Sequence, residues 1–228
     1  MRIIFVRHGH PDYQKDCLTP LGHLHAEAAA ERLRSETIHR AFSSTKGRAL
    51  ETAEHILRGR ELTLTPCDFI REIGWGAYNE EELPHRGHPW YTAVDMVSRG
   101  ESIVSTRWAD KKPFCDNRVK DCVAFVAKGT DEWLSSLGYE REGEFYRVKR
   151  ASDETILMTS HAGSSSAVFA HMFNLPFPFI CVALEPRFTA ITVVSLEGEE
   201  GALISPRFEI LNDARHIAGI TAPDAKGN

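Results

Sequence analysis

The sequence predicts an α/β sandwich on a largely parallel sheet, with a helical cap inserted between the two halves of that sheet. Two observations lead there. Short β-branched apolar runs alternate with Ala-, Leu-, Glu- and Arg-rich helical stretches at both ends of the 228-residue chain. Between them, from residue 78 to about 118, strand signals fade and Pro, His, Trp and charged residues become frequent.

Residues 2–6 are a short apolar run and read as a buried strand. Thr19-Pro20 reads as an N-cap followed by proline at the first helical position. A helix over 21–34 follows, with Leu24, Ala28 and Leu33 along one face. Residues 38–43 read as the second strand, and Ser44 or Thr45 as the cap of a helix running to about Leu57. Residues 62–70 alternate well enough for a third strand. Beyond the cap, 116–137 is helical, with Val119, Val123, Val126 and Leu134 apolar and a break or kink near Gly129. Residues 155–160 form the clearest later strand, followed by an amphipathic helix over 163–173. Residues 190–196 and 203–211 read as an antiparallel pair joined by an acidic turn at 197–201. Residues 1–220 are expected to form one domain, and 221–228 a flexible tail.

Composition removes several function classes. Lys and Arg number 27 against 32 Asp and Glu, a formal net charge of −5. With a pI near 6.1, that balance does not suit a dedicated nucleic-acid binder. No apolar run is long enough to cross a bilayer. The five cysteines are scattered without a CxxC pair, so neither a disulfide framework nor a structural zinc site is expected. With no signal-peptide pattern at the start, a cytoplasmic location is the expectation.

Chemistry collects at three strand ends. Arg7-His8-Gly9 follows the first strand, where open α/β sheets bind ligands. Ser160-His161-Ala162-Gly163 follows another strand and opens a helix, whose free N–H groups and positive dipole end suit a phosphate. Ser43-Ser44 leads to Arg48-Ala49, a third strand-to-helix junction. A guanidinium in the first turn opposes the helix dipole, so Arg48 is either held by an anion nearby or an ordinary exposed arginine.

Together these segments resemble the histidine phosphatase superfamily, the phosphoglycerate-mutase-like branch with an RHG motif. The resemblance rests on Arg7-His8-Gly9, on Leu18-Thr19-Pro20-Leu21-Gly22, on Ser43-Ser44 through Arg48-Ala49 with Glu51-Thr52-Ala53, and on Ser160-His161-Ala162-Gly163. Ile70-Arg71-Glu72-Ile73-Gly74 with Trp75-Gly76 is similar to the acid-donor segment, and Gly100-Glu101-Ser102 and residues 211–216 echo the pattern. The resemblance implies a three-layer α/β/α sandwich with His8 as the nucleophile that becomes phosphohistidine. It also implies Arg7, Arg48 and His161 around the phosphoryl oxygens and Glu72 as proton donor to the leaving group. These roles are chemically apt. His8 must attack as neutral imidazole, which nearby guanidinium charge favours, and a bound phosphate dianion would hold the proton on Glu72.

The chain departs from the family pattern in places. His10-Pro11 and Gln14 stand where Glu-Thr and a later Asn are usual, and Gln14 keeps an amide for the phosphate. Ala162 often has Gly as its counterpart and still offers a backbone N–H. Lys46-Gly47 replaces Pro-Leu.

His23 and His25 lie two apart on a helix and cannot share a face, so they make poor joint metal ligands. His85, His88 and Trp90 fall in the cap, where substrate specificity is expected to lie. The expectation is therefore a metal-independent phosphomonoester hydrolase, without cofactor, acting on a small phosphorylated metabolite. Mutase-type phosphoryl transfer and a non-catalytic phospholigand-binding protein stand as the alternatives. No nucleic-acid or membrane partner is expected, and the sequence leaves a homodimer open.

Overall fold

The computed structural model describes residues 1–79 and 82–221. In chain order its elements begin with β1 (Arg2–Arg7), β2 (Pro11–Asp12), β3 (Cys17–Leu18), α1 (Pro20–Arg32), β4 (Arg40–Ser44), α2 (Gly47–Leu57) and β5 (Leu64–Cys67). They continue with α3 (Pro89–Ser98), α4 (Val119–Ser136), β6 (Tyr139–Glu142), β7 (Phe145–Val148), β8 (Thr155–Ser160), α5 (Ala162–Met172) and α6 (Phe177–Ala183). β9 (Ile191–Ser195), β10 (Leu203–Ile204) and β11 (Arg207–Asp213) complete them. The expected tail lies, from residue 222 onward, outside the described residues.

Six strands form the central sheet in the order β11-β9-β1-β8-β4-β5. β1, β8, β4 and β5 run parallel, while β9 is antiparallel to β1 and β11 to β9. Alternation along β1 divides the core. Ile4 and Val6 pack with Ala29 and Leu33 of α1 and Ile56 of α2. Ile3 and Phe5 pack on the opposite side with Val126 and Leu134 of α4 and Phe169 of α5. Because both faces are covered, the strand reads as an unbroken apolar run. This is the three-layer α/β/α sandwich.

Several elements differ from their sequence reading, each for a local reason. Thr19 caps α1 by accepting from Gly22 N–H at 3.1 Å, as expected, but the buried face is Gly22, Ala26, Ala29 and Leu33, while Leu24 is exposed. Small residues are required there, since a Cβ on Gly22 would lie 2.1 Å from the His10 carbonyl oxygen. α2 begins at Gly47 with Lys46 in the cap position, and the Ser44 hydroxyl accepts from Lys46 N–H at 3.2 Å while also meeting His161 Nε2. The third strand stops at Cys67 and continues as a 3-10 turn over Asp68–Ile70. α4 runs through Gly129 without a kink. That glycine instead admits Phe69, whose Cβ would stand 2.2 Å from an added Cβ. α5 is buried nearly all round, by α4 and α6 as well as the sheet, so it is not amphipathic. The segment 203–211 divides at Pro206, which has no N–H for a ladder. Leu203–Ile204 pairs with β7 and Arg207–Asp213 with β9. The β6–β7 hairpin and α6 were not anticipated, although the two-residue Gly143-Glu144 loop is a hairpin signal.

The region between β5 and α4 carries 3-10 turns at Pro84–Gly87 and Trp108–Asp110 around α3. A bridge between Ala77 and Asn117 closes its base. The buried Asn117 side chain accepts from Gly76 N–H at 3.0 Å and donates to the Gly87 carbonyl at 2.7 Å. Among the described residues, no helix is long and apolar enough to cross a membrane.

Candidate active site

The site forms where β1, β8 and β4 end side by side. The register Arg7↔Ser160 brings the next residues, His8 and His161, together, with ring centroids 5.1 Å apart. His8 N–H donates to the Ser160 carbonyl at 2.9 Å. Gly9 N–H donates to Thr52 Oγ1 at 3.1 Å, and that hydroxyl donates to the Arg48 carbonyl at 2.7 Å. Thr52 thus ties the His8 loop to α2.

His8 is 1% exposed, and its Nδ1 lies 2.7 Å from the Gly9 carbonyl oxygen. A carbonyl only accepts, so Nδ1 carries the hydrogen and the lone pair is at Nε2. Burial, then Arg7, then Arg48, brings the imidazole pKa down to about 3. His161 is fully buried, with Nε2 2.7 Å from Ser44 Oγ. Burial first, and then His8, Arg48 and Arg7, hold its pKa far below the ordinary value. The sequence argument named guanidinium charge as the cause of His8 neutrality. Removal from water proves the larger effect.

Arg7 donates to the Pro186 carbonyl and lies 4.2 Å from the Phe188 ring centre. Arg48 is buried and paired with Asp16, which also accepts from Gly47 N–H at 3.1 Å. Asp16 is therefore an anion that offsets the cation at this helix start. Arg7 Nε, Arg48 Nε and His161 Nδ1 are buried with no hydrogen-bond partner among the described residues.

Glu72 sits against the first turn of α5. Its Oε1 accepts from the N–H groups of Ile73 at 3.1 Å, Gly163 at 3.0 Å and Ser164 at 3.2 Å. Those bonds and the two arginines favour the carboxylate, yet burial outweighs them and raises the pKa. Burial thus shifts Glu72 toward its acid form relative to a free carboxyl before any phosphate is considered. Gly163 makes the approach possible, since a Cβ there would lie 2.6 Å from Glu72 Oε1.

A cavity of about 460 Å³ opens beside these groups. Arg7, Glu72 and Ala162 line it together with Trp75, His88, Trp90 and Tyr91. His8, Arg48 and His161 are not lining residues, although Arg7 and Ala162, the chain neighbours of the two histidines, are. Gln14 is exposed, its backbone N–H bound to Asp12, and it does not line the cavity either. His85 pairs with Asp95 at 2.7 Å, away from the lining. Among the described residues, no three or more His, Cys, Asp or Glu side chains converge as a metal site.

Residues 3–112 match the model of the histidine phosphatase superfamily (branch 1). The matched segment is just under half of the chain.

No curated protein matches the chain. Solved structures align with it over nearly its whole length. The Entamoeba histolytica phosphoserine phosphatase, in complex with 3-phosphoglyceric acid, is 19% identical, with 95% of this chain and 98% of that one covered and a TM-score of 0.61. A mycobacterial glucosyl-3-phosphoglycerate phosphatase, in complex with inorganic phosphate, is 24% identical, with 94% and 98% covered and a TM-score of 0.63. YhfR from Bacillus stearothermophilus is 19% identical, with 90% and 95% covered and a TM-score of 0.55. At these identities the likeness is one of fold.

The candidate site also includes residues that sequence reasoning left without a role. Ser44 and Thr52 lay inside quoted motifs, but nothing marked them as partners of His161 and of the His8 loop. Asp16 and Phe188 carried no signal. Asn212 holds the loop bearing Glu185, Pro186 and Phe188, donating to the Glu185 carbonyl at 2.8 Å and accepting from Arg187 N–H at 3.1 Å.

The buried imidazoles make a stability prediction. Their folded pKa lies below the ordinary 6.5, so below pH 6.5 the unfolded chain binds protons that the folded one does not. Their contribution is intact above pH 6.5 and is lost as pH falls below it, for His8 down to about 3, at about 1.4 kcal/mol per pH unit for each histidine that stays neutral. Urea unfolding between pH 6.5 and 4 should show the fall, and His8→Ala should reduce its slope by about one proton. An unchanged slope would mean that His8 is not held neutral by the fold.

Proposed function

We propose that this chain is a metal-independent phosphomonoester hydrolase that works through a phosphohistidine on His8, with a small phosphorylated metabolite as substrate. The observation that carries this reading is the His8 ring: its Nδ1–H is committed to the Gly9 carbonyl, leaving the Nε2 lone pair beside Arg7, Arg48 and His161. Unpartnered buried donors on those three side chains suit an anion, because such groups are costly until they find an acceptor.

In the first step Nε2 forms a bond to phosphorus as the bond from phosphorus to the alcohol oxygen breaks. Glu72, uncharged through burial, gives its proton to that oxygen, and the alcohol leaves. Three N–H groups already hold Oε1, so Oε2 is the oxygen for the proton. The ring gains positive charge on phosphorylation, and the Gly9 carbonyl steadies it through Nδ1–H. Arginine and His161 donors offset the phosphoryl charge. In the second step Glu72 takes a proton from water. The hydroxyl attacks phosphorus, the bond to Nε2 breaks, and inorganic phosphate and free His8 result.

The reading predicts release of inorganic phosphate from a generic aryl phosphate at the same rate with and without a chelator, and strong inhibition by vanadate. Activity that disappears with chelator and returns with zinc or magnesium would overturn it.

A further inference from the structure

We infer that the cavity beside the site selects phosphomonoesters whose alcohol is uncharged and presents a flat or apolar face, and that Glu185 turns away those carrying a second anion. The inference rests on the hydrolase reading above and concerns what lies beyond the phosphoryl group.

Charge accounting around the cavity carries the argument. Among the described lining residues, Arg7 is the one permanent cation, and the hydrolase reading assigns it to the phosphoryl group. Lys46, Arg86 and Arg187 do not line the cavity. The lining carboxylates are Glu72 and Glu185, and Glu185 lies close enough to Arg7 to favour its charged form. His88 adds no cation, since burial lowers its pKa. A carboxylate or second phosphate on the alcohol would therefore meet no counter-charge and would face Glu185. Desolvating an anion without a partner is unfavourable, and like charge adds to it.

The remaining wall is apolar. Trp75, Trp90 and Tyr91 bring aromatic faces, and Val94 and Val182 continue the surface outward, with Tyr91, Val94 and Val182 exposed at 59, 53 and 39%. A flat alcohol group gains burial and ring contacts there, whereas a glycerol-sized one leaves the rings uncovered. Selection thus combines attraction for an apolar face with rejection of a second charge.

The test uses 3-carbamoylphenyl phosphate and 3-carboxyphenyl phosphate, which share shape and differ by one charge. Wild type should favour the neutral ester by about tenfold or more in kcat/KM. Glu185→Gln should narrow that ratio about threefold to fivefold, as suits an exposed carboxylate. Trp90→Ala should lower kcat/KM for the neutral aryl ester about three- to tenfold and leave methyl phosphate little changed. A ratio near one, a preference for the anion, or a ratio untouched by Glu185→Gln overturns the inference. If neither ester releases phosphate, the hydrolase reading fails. The same pair is then compared by calorimetric binding to the wild-type protein. There, tighter binding of the neutral ester upholds the selection and equal affinities overturn it.

Discussion

His8→Ala is expected to abolish turnover of every phosphate monoester, with kcat reduced on the order of 10⁴–10⁶-fold, as for loss of a nucleophile that works as one unit with its neighbours. The other imidazole at the site, His161, has its Nε2 engaged by Ser44. A loop imidazole might be thought dispensable to the fold, but His8 is 1% exposed, so the variant also leaves a small void. A loss of about 1–3 kcal/mol in stability should accompany the kinetic effect. The backbone bond from His8 N–H to the Ser160 carbonyl needs no side chain, so the β1–β8 pairing survives. Phosphate-release kinetics, read beside a thermal unfolding curve at the same pH, separate the two effects. Substantial activity in a folded His8→Ala protein would remove His8 from the mechanism.

Glu72→Gln should divide substrates by leaving group. An alkyl ester leaves as a basic alkoxide and needs a proton in the transition state, while p-nitrophenolate leaves unaided. The amide keeps an oxygen for the N–H groups of Ile73, Gly163 and Ser164 but has no proton to give. Alkyl monoesters should lose on the order of 10²–10⁴ in kcat, and p-nitrophenyl phosphate much less. The pH profile carries the sign. Burial raises the Glu72 pKa, so the acid form persists above the ordinary carboxylate range and activity falls as pH rises through the raised value. The variant should lose that alkaline limb on alkyl esters. Equal losses on both substrate types would make Glu72 a positioning residue. Among the other groups to examine, His88 lines the cavity, but burial lowers its pKa and disfavours the acid form. His85 is paired with Asp95, and Asp12 accepts from the Gln14 and Lys15 N–H groups.

The parts of this molecule that were readable in advance are those whose cause is local. The apolar run of β1, the Thr19-Pro20 start of α1 and the strand–turn–helix at Ser160-His161-Ala162 each depend on a few adjacent residues. Propensity and capping act over that range. The strand ends, and with them Arg7, His8 and His161, followed from the same reading.

What failed to read was set by contact between distant segments. Whether Gly129 kinks a helix or admits Phe69, and whether Leu203–Ile204 joins β9 or β7, depends on what packs against them. That the Ser44 hydroxyl would also meet His161 was hidden for the same reason.

The sequence by itself determined the three-layer order of strands and helices and the residue types gathered at the strand ends. Only the tertiary structure decided their electrical state. Asp16 meets Arg48 across 32 positions of sequence, and Glu72 meets the first turn of α5 across 91. Burial of His8, His161 and Glu72 is a property of the assembled layers. A charge is costly wherever water is excluded, and no stretch of sequence specifies alone where that will be.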